Sequence, residues 1–169
     1  MFRLPDLRVF SRTGVLLCVL AISSNVTIQG QPTPVSLAER GRGAEQVVIG
    51  RVSTVTAVWR DNDFGDRLIT SIVRVTVDET LKGASRQSVE VEIEGGTIDG
   101  LTLRVSDLDT LAPGDRAVFY LEQNRRGALV PHLRGLGVQK IDASGRIRGT
   151  SVTLDQVRRE VRAGAARRP

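Results

Sequence analysis

Apolar and polar residues alternate along most of the chain between Val47 and Ile147, in runs broken by turn residues. A period of two marks strands buried on one face only. The first run, VVIGRVSTVTAVW at 47–59, is rich in β-branched residues and carries Gly50 early, which predicts a bulge or a tight bend. After the loop DNDFGD, 61–66, Ile69, Val73, Val75 and Val77 share one face, and Thr70, Arg74, Thr76 and Asp78 share the other. Leu81-Lys82-Gly83 turns the chain, and Val89, Val91 and Ile93 then alternate with Glu90, Glu92 and Glu94. GGTIDG, 95–100, reads as a loop, and Leu101, Leu103 and Val105 alternate with polar residues as a further strand. LAPGD, 111–115, has proline and glycine where a turn needs them. AVFYL, 117–121, is apolar at every position, so both of its faces should be covered. Shorter strands are expected near 128–132 and 136–142, and DASGR turns the chain into Ile147.

Helix signals flank the strands. Ser36 stands three residues before Glu39, the spacing of a capping box, and Gly41 and Gly43 should end that helix at once. Thr153 and Gln156 repeat the spacing, and Leu154, Val157 and Val161 fall on one helical face. The pattern is mainly β: one short helix, six to eight strands and a C-terminal helix. A sheet of this size must hide its inner face as a small barrel or as a sandwich. A long first strand with an internal glycine favours the barrel, because one bent strand then serves both sides. One domain over 36–162 follows, with a disordered basic tail at 163–169.

The N-terminal segment has a different character. Arg3, Arg8 and Arg12 precede the apolar run Val15–Ile22, and Ser23, Ser24 and Asn25 follow. That order is the signature of a secretory signal peptide over 1–30, and a buried N-terminal helix is the alternative. Cleavage points after Ser23 and after Gly30 both fit, and QPTPV, 31–35, reads as a linker. The expected location is therefore periplasmic or extracellular. Cys18, the one cysteine, lies in this segment, so no disulfide and no thiolate chemistry are expected in the mature domain.

The formal charge of +5 invites a nucleic-acid reading, but the excess sits at the two ends. Residues 31–153 carry sixteen basic and sixteen acidic side chains. A neutral body offers no field for steering phosphate. Phe119 and Tyr120, neighbours on one strand, point to opposite faces, which argues against a base-stacking platform.

Candidate chemistry is sparse. Glu90, Glu92 and Glu94 stand side by side. They read more simply as the wet face of a strand, with Arg74 as a cross-strand partner, than as an acid–base site. His132 is the only histidine, which leaves zinc and triad chemistry without a set of partners. DNDFGD departs from a calcium loop at its fifth, sixth and twelfth positions; it reads as a charged hairpin loop, with calcium left open. The loops GRG, EGG and RGLG read as turns. Trp59, Asp61, Asp63 and Phe64 form a candidate binding patch, with closure of one barrel end as the competing role.

The phrases VVIGRV, VTVDETLKG, LAPGDRAVFYL and GLGVQKI resemble a group of exported bacterial β-domains, found alone or beside matrixin-like metallopeptidases. The likeness spans about residues 36–160. More distantly, the order is similar to the netrin-like domain of the tissue inhibitors of metalloproteinases, an oligonucleotide/oligosaccharide-binding (OB) type of barrel with flanking helices. The resemblance implies an OB-like barrel, closed or partly open, and a possible peptidase partner. It does not carry over inhibition, since the mature chain lacks the N-terminal cysteine and the disulfides of those inhibitors. The expectation is a non-enzymatic module with no cofactor and no nucleic acid, binding another protein. A metallopeptidase accessory or inhibitor-like role, a glycan or cell-surface binder, and a hydrolase are the alternatives, in that order.

Overall fold

A computed structural model describes residues 35–62 and 65–166. The expected signal segment, all of the linker but Val35, and Cys18 lie outside the described residues. The described chain is mainly β. Helix α1 (Leu37–Gly43) is followed by β1 (Gln46–Asp61), β2 (Arg67–Lys82), β3 (Ser88–Glu94), β4 (Gly96–Ile98), β5 (Leu101–Leu103), β6 (Arg116–Gln123) and β7 (Leu129–Pro131). A 3-10 turn at Arg134–Gly137, β8 (Val138–Lys140) and helix α2 (Leu154–Ala166) complete it.

Six strands run in the order β1-β2-β3-β7-β6-β8, and β1 also pairs with β6, which closes a ring. The β3–β7 contact, Val91 against Leu129, is parallel; the other ladders are antiparallel. This is an OB-like barrel in which β1 serves two neighbours. It pairs with β6 through Gln46–Arg51 and with β2 along its whole length. The register slips at Val47/Val48, Ile49/Gly50 and Val52/Thr54, and these slips bend the strand. At Gly50 the strands approach so closely that a Cβ would lie 2.5 Å from the Thr76 carbonyl oxygen.

Two cores result. Val48, Val52, Val73, Val75, Val89, Val91, Ile93, Phe119 and Leu121 fill the barrel. Val47, Ile49, Leu81, Val118 and Tyr120 face outward from it, under Leu154, Val157 and Val161 of α2. The uninterrupted apolar run of β6 thus has two reasons: Phe119 packs inside the barrel and Tyr120 beneath the helices. Burial pushes the Tyr120 phenol up to about 12, partly offset by the charge of Arg40. Its hydroxyl is buried and has no hydrogen-bond partner. Tyr120→Phe is therefore expected to leave the urea midpoint unchanged or raise it, by up to about 1 kcal/mol in stability.

The expected capping box forms: Glu39 N–H donates to Ser36 Oγ at 3.2 Å, and Ser36 N–H to Glu39 Oε2 at 2.9 Å. The helix is short, as the sequence reading had it, and its last residue is Gly43; Gly41 lies inside α1. Gly41 is needed for packing, since a Cβ there would come within 3.2 Å of Val161 Cα. The tail expectation also needs correction. Residues 163–166 belong to α2, and Gly164 is buried, with its Cβ position 2.8 Å from the Ala38 carbonyl of α1. Residues 167–169 lie outside the described residues. Leu101 is 57% exposed because β4 and β5 form a separate small hairpin off the barrel, so the expected strand at 101–105 shrinks to three residues, with β4 where a loop was expected.

Lys82 and Lys140 are the chain's only lysines, and both hold the frame. Lys82 Nζ donates to the Gly41 and Arg42 carbonyls at 2.7 and 2.9 Å and also to Ala44 O, capping the C-terminus of α1. Lys82→Met keeps the length and removes these bonds; a loss of about 2 kcal/mol is expected in urea unfolding. Lys140 pairs with Asp115 at 2.8 Å, both largely buried. Burial works against the Asp115 carboxylate, but hydrogen bonds from Lys140 and the Ala112 amide, with the charges of Lys140 and Arg148, hold it below the usual aspartate range. Glu39 is held low by the Ser36 amide and hydroxyl, Asp107 by Arg134, and Asp142 by the Ser144 hydroxyl and the Arg146 amide.

A folded pKa below the unfolded one stabilises the fold at higher pH, and the gain is lost as pH falls through the folded value. The melting temperature should be level near neutrality and drop below about pH 4. The difference between wild type and Asp115→Asn should shrink over the same fall, as thermal scans across pH would show.

Candidate functional site

Once Val89, Val91 and Ile93 fill the barrel, period two sends Glu90, Glu92 and Glu94 outward. The same rule turns Leu68 and Thr70 of β2 to that face. Val130 and Pro131 of β7, Leu108 and the segment His132–Arg134 complete a cleft of about 410 Å³. Asp61, Asn62, Glu122, Asn124 and Arg126 also line it. Its floor is aliphatic and its rim is charged.

Most of the charges along the rim are paired with one another: Glu92 with Arg126, Glu94 with Arg134 and Glu122 with His132. Arg74 stands directly opposite Glu90 in the β2–β3 register and meets it at 3.3 Å, as the sequence reading had it. Both are more than half exposed, so the pair contributes at most about 1 kcal/mol. Glu90 lies outside the cleft. Glu92 is different: its side chain is only 11% exposed and sits between Arg60 at 3.2 Å and Arg126 at 3.1 Å. Arg126 also donates to the Asp61 carbonyl. One guanidinium thus ties the β6–β7 turn to the far end of β1, across the cleft. Glu94 meets Arg134 at 3.3 Å, and Arg134 meets Asp107 at 3.1 Å.

His132 lines the cleft and donates from Nδ1 to Glu122 Oε2 at 2.6 Å. Its Nε2 is pressed against α1, where a Cβ on Gly43 would lie 2.3 Å away. The imidazole is therefore a wedge between β7 and α1, and its second nitrogen is turned from the cleft. The next two residues, Leu133 and Arg134, both have left-handed backbone, φ 56° and 53°. That conformation costs about 1 kcal/mol or more at each non-glycine residue and persists only where the surroundings enforce it. Here the enforcement comes from Gly135 and Gly137. Both lie in the 3-10 turn, as the sequence reading of RGLG had it, and both are also points of close approach: a Cβ would overlap the Asp107 carbonyl at 1.4 Å and the His132 carbonyl at 2.4 Å respectively. The strain holds Leu133, 42% exposed, at the mouth of the cleft.

Of the patch expected at Trp59, Asp61, Asp63 and Phe64, Asp61 lines the cleft and Trp59 does not. Trp59 pairs in register with the inward-facing Ile69, so it lies on the face opposite Arg60, with Arg67 over its ring at 5.7 Å. Asp63 and Phe64 lie outside the described residues. Asn62 and Asp66 close their loop on each other: Asp66 N–H donates to Asn62 Oδ1 at 2.8 Å, and Asn62 Nδ2 to Asp66 Oδ2 at 3.1 Å. No group of three or more metal-ligating side chains occurs among the described residues. From the 122–134 segment the sequence reading considered His132 and a short strand near 128–132, and missed the roles of Glu122, Arg126 and Arg134. The segment's one signal was the arginine pair in the turn NRRG, which supplies the partner for the least exposed glutamate. No protein-family model matches this chain, and no curated protein matches it.

Proposed function

We propose that the chain is a non-enzymatic binding module that acts outside the cytoplasm and holds a segment of a partner protein in the β2–β3–β7 cleft. The observation that carries the reading is the cleft's make-up. Leu68, Leu108, Val130, Pro131 and Leu133 offer an aliphatic surface, while three of the carboxylates around them, Glu92, Glu94 and Glu122, are already paired. Such a surface fits apolar side chains of a polypeptide, oriented by a few polar groups at the rim. Among the described residues the cleft has no aromatic ring besides the imidazole, which disfavours stacked sugars or bases. The position of His132 Nε2 against Gly43 disfavours a hydrolase built on that histidine.

The resemblance to domains found beside metallopeptidases makes an exported peptidase one class of partner. Its motifs have folding reasons here: Leu81 is buried in the second core, Lys82 caps α1, and Asp115 anchors β6. The resemblance thus supports an architecture more than a partner. The test is affinity capture from the envelope fraction with wild type, Val130→Arg and Leu101→Arg. A partner retained by wild type and Leu101→Arg but lost with Val130→Arg is expected. Equal retention by all three, or saturable glycan binding abolished by Val130→Arg, would overturn the reading.

A further inference from the structure

A second feature, which meets the cleft at Glu94 and Leu108, goes beyond that reading. Strand β1 leaves β6 after Arg51, with a last link between Val52 and the Gly114–Asp115 backbone. From Thr54 to Asp61 its one hydrogen-bonded strand partner among the described residues is β2, with β4 packed near Ala57, where a Cβ on Gly96 would lie 3.3 Å from Ala57 Cβ. Asn62 N–H donates to the Asp66 carbonyl, so this pair, in the same register, is hydrogen-bonded. Bonded pairs alternate along an antiparallel ladder. Arg60, Val58, Thr56 and Thr54 therefore bond to β2, and Val55, Ala57 and Trp59 point their N–H and C=O groups the other way. The carbonyl of Asp61, also odd-numbered, agrees, since it accepts from Arg126 outside the ladder. Among the described residues, nothing bonds the outward groups of Val55, Ala57 and Trp59.

Natural edges are guarded by charge, proline or a covering element. Val52–Trp59 has neither charge nor proline. The edge opens on a hollow of about 490 Å³, walled on its far side by residues 102–111 and floored by Val73, Ile93 and Leu111. The hollow's floor, Val73, Ile93 and Leu111, is the nearly covered top of the barrel core, and beside it runs a row of unbonded backbone groups at two-residue spacing.

The geometry points to strand addition: an extended segment of another polypeptide pairs with Val55–Trp59 and lays alternate small or β-branched side chains over Val73, Ile93 and Leu111. The occupant is a single extended chain. The 102–111 wall faces the edge, and it keeps a second barrel, carrying the same wall, from bringing its own β1 alongside. Backbone pairing supplies affinity, and the barrel mouth selects the side chains.

The test uses the full chain after export and a displayed library of random octapeptides. Selected peptides should show apolar β-branched residues at alternate positions. N-methylation of their alternate amides should weaken binding about tenfold or more. Ala57→Pro removes an N–H that faces away from β2, so it should keep the fold, checked by circular dichroism, and abolish peptide binding. Val130→Arg should leave peptide binding intact, which separates this site from the cleft. Indifference to N-methylation, an absence of enriched alternating peptides, or a dimer of the chain dispersed by Ala57→Pro would each overturn the proposal. The N-methylated peptides serve even if Ala57→Pro does not fold.

Discussion

Val157→Asp is expected to unfold the domain's outer layer and lower the melting temperature by more than 10 °C, a loss of about 4 kcal/mol. Val157 is fully buried in the cluster that joins α2 to the outward face of β1 and β6. An aspartate there would place a carboxylate among Val118, Tyr120 and Val161. The nearby guanidinium of Arg158 is already held by Glu79 and Asp155, at 2.8 and 2.7 Å. Gln156→Asp, one residue away on the exposed side of the same helix, should shift stability by no more than about 0.5 kcal/mol. Calorimetry of the two variants side by side decides the matter: similar melting temperatures would mean that α2 does not cover the barrel.

Gly50→Ala should be nearly as damaging, at about 3 kcal/mol. The added methyl group would lie 2.5 Å from the Thr76 carbonyl oxygen and 2.6 Å from Val75 Cγ1. Neither neighbour can yield cheaply. The carbonyl belongs to β2, and Val75 is buried in the barrel. Gly127→Ala is the informative contrast. Gly127 has a left-handed backbone, φ 78°, but nothing lies within 4 Å of its Cβ position, so only conformational strain of about 1 kcal/mol applies. Chemical unfolding should rank Gly50→Ala well below Gly127→Ala. The reverse order would mean that β1 does not bend where its register slips.

The two substitutions also show how much the chain declared in advance. The role of Val157 was legible because helical periodicity places Leu154, Val157 and Val161 on one stripe, and a stripe needs a partner surface. Gly50 was legible as a bend, because an isolated glycine in a β-branched run has few other uses. The backbone it meets was not legible, since Thr76 lies twenty-six residues away. The close approaches at Gly41, Gly43 and Gly135 were not legible for the same reason: contact with Val161, His132 and Asp107 is a property of distant segments. Trp59 and Asp61 were grouped by proximity in sequence; both lie on β1, but Asp61 ends the strand, where its carbonyl accepts from Arg126 at the cleft, while Trp59 packs under Arg67.

The amino-acid pattern alone determined the strands, the capping box, the two-faced burial of β6 and the barrel, because these follow from local periodicity and from the need to hide one face of each element. Tertiary structure alone decided the rest. The parallel meeting of Val91 with Leu129 brings β7 beside β3, and with it Arg126 to Glu92 and His132 to the cleft. Among the described residues it also leaves β1 without a second hydrogen-bonded strand beyond Val52. Pairing between distant strands is a choice among registers of similar local energy, and packing of the whole domain settles it. A site assembled from several strands and turns is therefore invisible until the ring has closed.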